Sequence, residues 1–258
     1  MMLHSDPMGA VVFAHFKDLA NATVILSPPD EWIGDVALVH VPPDWAIAGS
    51  LPPDLSLHRF FDRFYLLLSG DHPDRRRVVV ETFFSHIASV YDKLIETRRN
   101  VENIQTLLQL VTGSGEYSKA DGRRLILDVG CGTGLAYAIA CTFGIEIVGI
   151  EASNEMREIA RLRGMEVIEP GALDTWAANS VSGAIASYVF HLGVPRELLL
   201  AIWRTLRPGC GIAANFHKDC GIAEITNVFH ALGADICTDA SNQVPSVHGT
   251  YVTFWKPV

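Results

Sequence analysis

A chain of 258 residues with 49% hydrophobic and 19% charged side chains can bury a substantial core, which excludes an intrinsically disordered protein. Its formal charge of -9 repels a phosphate backbone, and the dense basic residues are confined to Arg75, Arg76 and Arg77, so no nucleic-acid partner is expected. No apolar run approaches membrane-spanning length and no basic-then-apolar leader opens the chain, so no membrane association is expected.

Eight of the 13 prolines precede residue 75, including the pairs Pro28-Pro29, Pro42-Pro43 and Pro52-Pro53. Proline fixes φ and lacks a donor, so each pair punctuates the backbone. Between them Ala22 to Leu26 and Val36 to Val41 read as short strands, and the apolar spacing of Leu57 to Leu68 predicts a helix. Residues 1–77 are therefore expected to form an accessory region, a lid or an interaction module.

From Val78 to Val111 apolar residues recur at helical spacing, predicting two helices broken near Glu96 to Asn100. This helical cap segment, 78–122, closes in a loop rich in glycine, serine and charge at Gly113 to Gly122.

In 123–258 strands and helices alternate. Strands are predicted at Leu125 to Val129, Glu146 to Ile150, Glu166 to Ile168, Val181 to Ser187, Gly211 to Phe216 and Thr250 to Trp255. The helices between them are Leu135 to Phe143, Asn154 to Arg163, Pro195 to Leu206 and Ile222 to Leu232. Alternation at this spacing predicts right-handed βαβ units and an α/β fold, a doubly wound, mostly parallel sheet of Rossmann-like type.

The first of these strands ends in an acid and a glycine-rich turn: Leu125-Ile126-Leu127-Asp128-Val129-Gly130-Cys131-Gly132-Thr133-Gly134, followed by Leu135. Glycine lets the backbone bend sharply and lets a ligand approach where a Cβ would collide. The third glycine comes one residue earlier than in the GxGxxG dinucleotide fingerprint. Glu151 ends the second strand, where an acid can accept hydrogen bonds from both ribose hydroxyls of a nucleoside.

The stretch closely resembles motif I of class I S-adenosylmethionine-dependent methyltransferases. Ala152-Ser153-Asn154-Glu155-Met156 is similar to the family's acid-small-cap-hydrophobe pattern, Leu206-Arg207-Pro208-Gly209 to its turn before the fifth strand, and Tyr251 to Trp255 to its last, antiparallel strand. The resemblance implies S-adenosylmethionine as cofactor, contacted by Asp128, Gly130, Cys131, Gly132, Gly134, Leu135, Glu151, Ala152, Met156 and Ser187. Met156 reads equally well as a core residue behind a capped helix start.

Phe83-Phe84-x-x-x-Ala88-x-x-Tyr91-Asp92-Lys93 is similar to a cofactor-covering helix, which would close Tyr91 over the methionine end; an ordinary apolar stripe is the other reading. The chain departs from the family's Gly-Asp-Ala after the third strand, carrying Glu169-Pro170-Gly171-Ala172-Leu173-Asp174, so backbone at Ala172 and Leu173 is expected to serve instead.

After the fourth strand Ser187-Tyr188-Val189-Phe190-His191-Leu192 carries no Asn/Asp-Pro-Pro-Tyr/Phe signature. The pattern resembles small-molecule methyltransferases, which implies a small-molecule acceptor. If that acceptor must lose a proton, His191 and His217 follow the fourth and fifth strands and are the candidate bases, although histidines at strand ends often only pack or face solvent. The five cysteines form neither a CxxC pair nor a disulfide framework, so no metal site and a reducing, cytoplasmic compartment are expected. Two rivals stay open, a methyltransferase-like protein that binds cofactor without catalysis and an NAD-dependent oxidoreductase.

Overall fold

The computed structural model describes residues 10–22, 29–41, 55–61, 63–69, 72–113, 124–216, 221–238 and 249–258. The chain divides into two compact units, Met1–Ile87 and Ala88–Val258.

The first unit is a five-stranded sheet with helices α1 (Phe16–Ala22) and α2 (Pro73–Ile87). Its strands are β1 (Ala10–His15), β2 (Glu31–Ile33), β3 (Val36–Val41), β4 (Leu55–Phe60) and β5 (Phe64–Ser69), in the order β2-β3-β1-β5-β4. β1 runs parallel to β5 and antiparallel to β3. The helix expected over Leu57 to Leu68 is instead the β4–β5 hairpin, with Phe60 opposite Phe64. β5 lies between β1 and β4 and buries both Leu66 and Leu67, and a strand buried on both faces reads as an unbroken apolar run. The turn carries no glycine: Phe61 itself takes a left-handed φ of 53°. Of the strand expected at Ala22 to Leu26, Ala22 closes α1 and the remainder lies outside the described residues.

α2 begins on Pro73, whose missing N–H costs nothing in a first helical turn. The second unit opens with a 3-10 turn at Ala88–Val90 and the four-residue helix α3 (Tyr91–Leu94). Extended backbone at Ile95 then breaks the chain before α4 (Thr97–Thr112), so the interruption is narrower than the spacing predicted.

Seven strands follow: β6 (Leu125–Val129), β7 (Glu146–Ile150), β8 (Glu166–Ile168), β9 (Gly183–Ala186), β10 (Gly211–Phe216), β11 (Asp235–Cys237) and β12 (Thr250–Trp255). Between them run α5 (Leu135–Thr142), α6 (Asn154–Leu162), α7 (Arg196–Thr205) and α8 (Ile222–Ala231). The sheet order is β8-β7-β6-β9-β10-β12-β11, with β12 antiparallel to both its neighbours. Alternate residues feed two cores. Leu127, Val129, Ala184 and Ile212 pack with α7 and α8, whereas Ile126, Ile185, Ala213 and Tyr251 pack with α4 and α5.

This is the doubly wound α/β sheet expected, with one strand inserted antiparallel where a dinucleotide fold has a plain 3-2-1-4-5-6 order. The chain reverses its winding between β6 and β9, and open α/β sheets bind ligands at the carboxyl ends of strands flanking that point. Among the described residues no helix is long and apolar enough to cross a membrane.

Candidate active site

Leaving β6, the chain folds back on the end of β7: Gly130 N and Cys131 N both donate to Ile150 O, at 2.7 and 3.2 Å. Gly130 has a φ of 66°, and a Cβ there would stand 2.5 Å from Val189 Cγ2. The position thus requires glycine twice over, and it brings the segment after β9 against the bend. At Gly132 (φ 54°) the nearest atom a Cβ would meet is Tyr91 Cε1, at 3.9 Å, so this side of the bend faces the Tyr91 ring. Gly134, also left-handed, caps the start of α5, whose first residue Leu135 is half-buried.

Glu151 completes the nook. Its carboxylate accepts from Gly132 N and from Ser153 N, both at 2.9 Å, so the bend and the end of β7 share one acid. Ser153 also caps α6, its hydroxyl accepting from Met156 N at 3.2 Å. A carboxylate offers about four lone-pair positions, so acceptor capacity is left for ligand hydroxyls. The residues present therefore fit the ribose of a nucleoside cofactor.

Burial sets the electrostatics. Asp128, 3% exposed, is pushed up to about 8 by burial and then by the charge of Glu151. Burial also raises Glu151, while the N–H groups of Ser153 and Gly132 work against the rise. Burial, then the neighbouring Asp128, holds the Cys131 thiol well above its usual range. The Tyr91 phenol is pushed up to about 12 by burial, then by Glu151 and Asp92. A nook lined by the Glu151 carboxylate and an aromatic ring favours a cationic ligand over an anionic one.

The remaining sequence-predicted residues are more scattered. Ala152 is half-buried, its carbonyl held by Arg157 Nη1 at 2.6 Å. Met156 is 1% exposed, behind the cap of α6. Ala172 and Leu173 lie in a 3-10 turn, Pro170–Thr175, and their carbonyls are already taken by Thr175 Oγ1 (2.9 Å) and Arg204 Nη2 (2.9 Å). His191 sits half-buried in the turn Phe190–Leu192, where a Cβ on Gly221 would come within 3.2 Å of its Cα. His217 lies outside the described residues.

Ser187 belongs to a buried polar network that sequence reasoning missed. Asn103 Nδ2 donates to Ser187 Oγ (2.8 Å) and to Asn215 Oδ1 (3.1 Å), and Tyr251 OH donates to Asn103 Oδ1 (2.7 Å). Asn215 Oδ1 also accepts from Tyr188 N at 2.9 Å, fixing Tyr188 at a φ of 55°. A non-glycine residue is strained there, and such strain persists only where surrounding contacts over-determine it. The available signal was Asn103 itself, a polar residue beside Ile104 in the apolar stripe of α4.

A second missed group ties the nook together. Thr133, inside the glycine bend and 1% exposed, donates its hydroxyl to Asp92 Oδ1 at 2.7 Å. Arg163, which caps the end of α6, donates to Thr133 Oγ1 at 3.0 Å and pairs with Asp92 through its other terminal nitrogen.

Residues 127–214 match the methyltransferase domain family model. An O-methyltransferase of Pyrenophora dematioidea is 38% identical over 95 residues, covering 33% of this chain and 36% of that protein. An uncharacterized methyltransferase of Alkaliphilus oremlandii is 29% identical over 115 residues, covering 42% of this chain and 52% of that one. The chain thus spans about a third and about half of the length of these two relatives. A SAM-dependent methyltransferase of known structure from Thermotoga maritima aligns with a TM-score of 0.47 and 18% identity, over 66% of this chain and 96% of that one. The matched residues hold most of β6, the bend, Glu151 and β9 described above, and this part of the chain is therefore similar to a methyltransferase domain.

Proposed function

We propose that this protein transfers the methyl group of S-adenosylmethionine to a small-molecule acceptor. One observation carries the reading: a single half-buried carboxylate, Glu151, joins the glycine bend to the capped start of α6 and keeps lone pairs for ribose hydroxyls. The cofactor, when bound, supplies an activated methyl on a sulfonium, so the protein needs no nucleophile of its own. Its residues bind and orient. Glu151 and the backbone at Gly130 to Gly134 hold the nucleoside, and the Tyr91 ring beside Gly132 suits a cationic centre.

Acceptor atoms are held by the segment after β9, which Val189 presses against Gly130. That segment reads Ser187-Tyr188-Val189-Phe190, without the Pro-Pro-aromatic signature that holds planar amino groups, which supports a small molecule rather than nucleic acid or protein amide. The charge of -9 supports the same choice. The likeness to an O-methyltransferase supports a hydroxyl acceptor, for which His191 is the base that would take the proton. Among the described residues Cys131, Cys141 and Cys237 are unbridged thiols, which supports a reducing, cytoplasmic compartment.

Calorimetric titration with S-adenosylmethionine, S-adenosylhomocysteine and NAD tests the cofactor: binding of the first two and not the third is expected. Methyl transfer to a panel of phenols, amines and thiols tests the reaction. Binding without turnover on any of them would overturn the enzyme and leave a cofactor-binding protein.

A further inference from the structure

α3 has four residues, of which Tyr91, Asp92 and Leu94 are half-buried and Lys93 is exposed. It follows without a gap on the 3-10 turn Ala88–Val90, whose Ala88 is buried, and one short turn gains little stability of its own in water. Its position is therefore set by that turn together with what its own side chains grip. Asp92 grips two elements at once: its carboxylate accepts from the Thr133 hydroxyl inside the glycine bend and pairs with Arg163 at the end of α6. Arg163 closes the triangle on Thr133 at 3.0 Å. The residue next to Asp92 is Tyr91, whose ring is the nearest atom group to the open side of Gly132.

From this arrangement we infer that Asp92, Thr133 and Arg163 form a latch that holds Tyr91 over the cofactor nook, making Asp92 and Arg163 positioning residues for cofactor capture. The inference rests on the methyltransferase reading and adds to it how the cover is kept in place. The latch ties the cover to both halves of the nook, because Thr133 belongs to the bend and α6 begins at the cap beside Glu151. The pair is only part-exposed, at 34% for Arg163 and 35% for Asp92, so solvent weakens it without abolishing it. A contact of that strength suits an element that must open for the cofactor to enter and leave.

The test is a double-mutant cycle read by S-adenosylhomocysteine affinity. Tyr91→Ala, Asp92→Ala and the pair Tyr91→Ala/Asp92→Ala are compared with the parent chain. Asp92→Ala is expected to weaken binding about tenfold, with the loss falling on KM for S-adenosylmethionine rather than on kcat. If Asp92 acts through Tyr91, the double variant binds no more weakly than Tyr91→Ala alone. Multiplying fold-losses would overturn the latch, as would an Asp92→Ala protein that binds as the parent does.

Arg163→Met removes the ion pair from the α6 side and is expected to give the same loss, with melting temperature within about 2 °C of the parent. The inverted pair Asp92→Arg/Arg163→Asp is expected to recover part of it. Lower melting temperatures in both single variants with unchanged affinity would show a merely structural contact and overturn the latch. Absence of binding by the parent would instead defeat the methyltransferase reading itself.

Discussion

Each unit buries an acid, and the two treat it in opposite ways. In the first unit Asp18, 2% exposed, is neutralised in place by Arg75 at 2.5 Å. In the second unit Asp128 is buried and Glu151 half-buried at strand ends, and among the described residues neither has a cation at ion-pair distance. Glu151 is held by backbone N–H groups instead, and both acids are pushed up by burial. A paired carboxylate is a finished structural element, whereas one satisfied only by backbone donors keeps capacity for a ligand. Under the proposed function the contrast assigns Asp18 to the scaffold and Glu151 to ligand binding.

Replacing Glu151 by Ala should give the largest effect. It removes two charge-assisted hydrogen bonds to ribose at roughly 2 kcal/mol each, a loss in S-adenosylhomocysteine affinity on the order of 1000-fold. Calorimetry on Glu151→Ala and Asp18→Asn side by side breaks the comparison if the two lose affinity alike.

Asp18→Asn should instead cost stability. It leaves Arg75 without its partner, at roughly 3 kcal/mol, the low end for a buried pair because Arg75 is 22% exposed. Denaturant unfolding should show a lower midpoint with cofactor affinity unchanged, and an unmoved midpoint would mean that the pair contributes nothing.

A third effect is expected at Asp128, and it depends on pH. Its folded pKa is raised to about 8 from an ordinary 3.8, so the native state holds the proton more tightly than the unfolded chain. That contribution is fully present at low pH and is lost as pH rises from about 4 through 8. The melting temperature of Asp128→Asn, taken relative to the parent, should therefore rise across that window and level off above it. A difference that is flat with pH would show that Asp128 is ionised in the native state.

Much of the second unit was legible in the sequence because each of its signals is local. β6, β7, β8, β10 and β12 begin and end where the apolar runs do, and Gly130, Gly132 and Glu151 meet as the spacing required. The first unit was not, because its pairings join distant segments. β5 forms by pairing with β1 some fifty residues away, and nothing in Leu57 to Leu68 distinguishes a doubly buried hairpin from an amphipathic helix. In the second unit β11 escaped notice for a related reason: three residues with little burial, made a strand by β12 alone. Asn103 and Asp92 were hidden differently, since their partners lie 112 and 41 residues further along the chain.

The place of β12 in the sheet has a consequence for synthesis. It slots between β10 and β11 and pairs with both, so on a translating ribosome β10 would present an open, largely apolar edge until residues 250–255 emerge. Tyr251 arrives with the same strand and supplies the hydroxyl that completes the Asn103 network. A nascent chain halted before that point would thus carry both an unpaired strand edge, of the kind that invites aggregation, and an incomplete polar network beside Ser187.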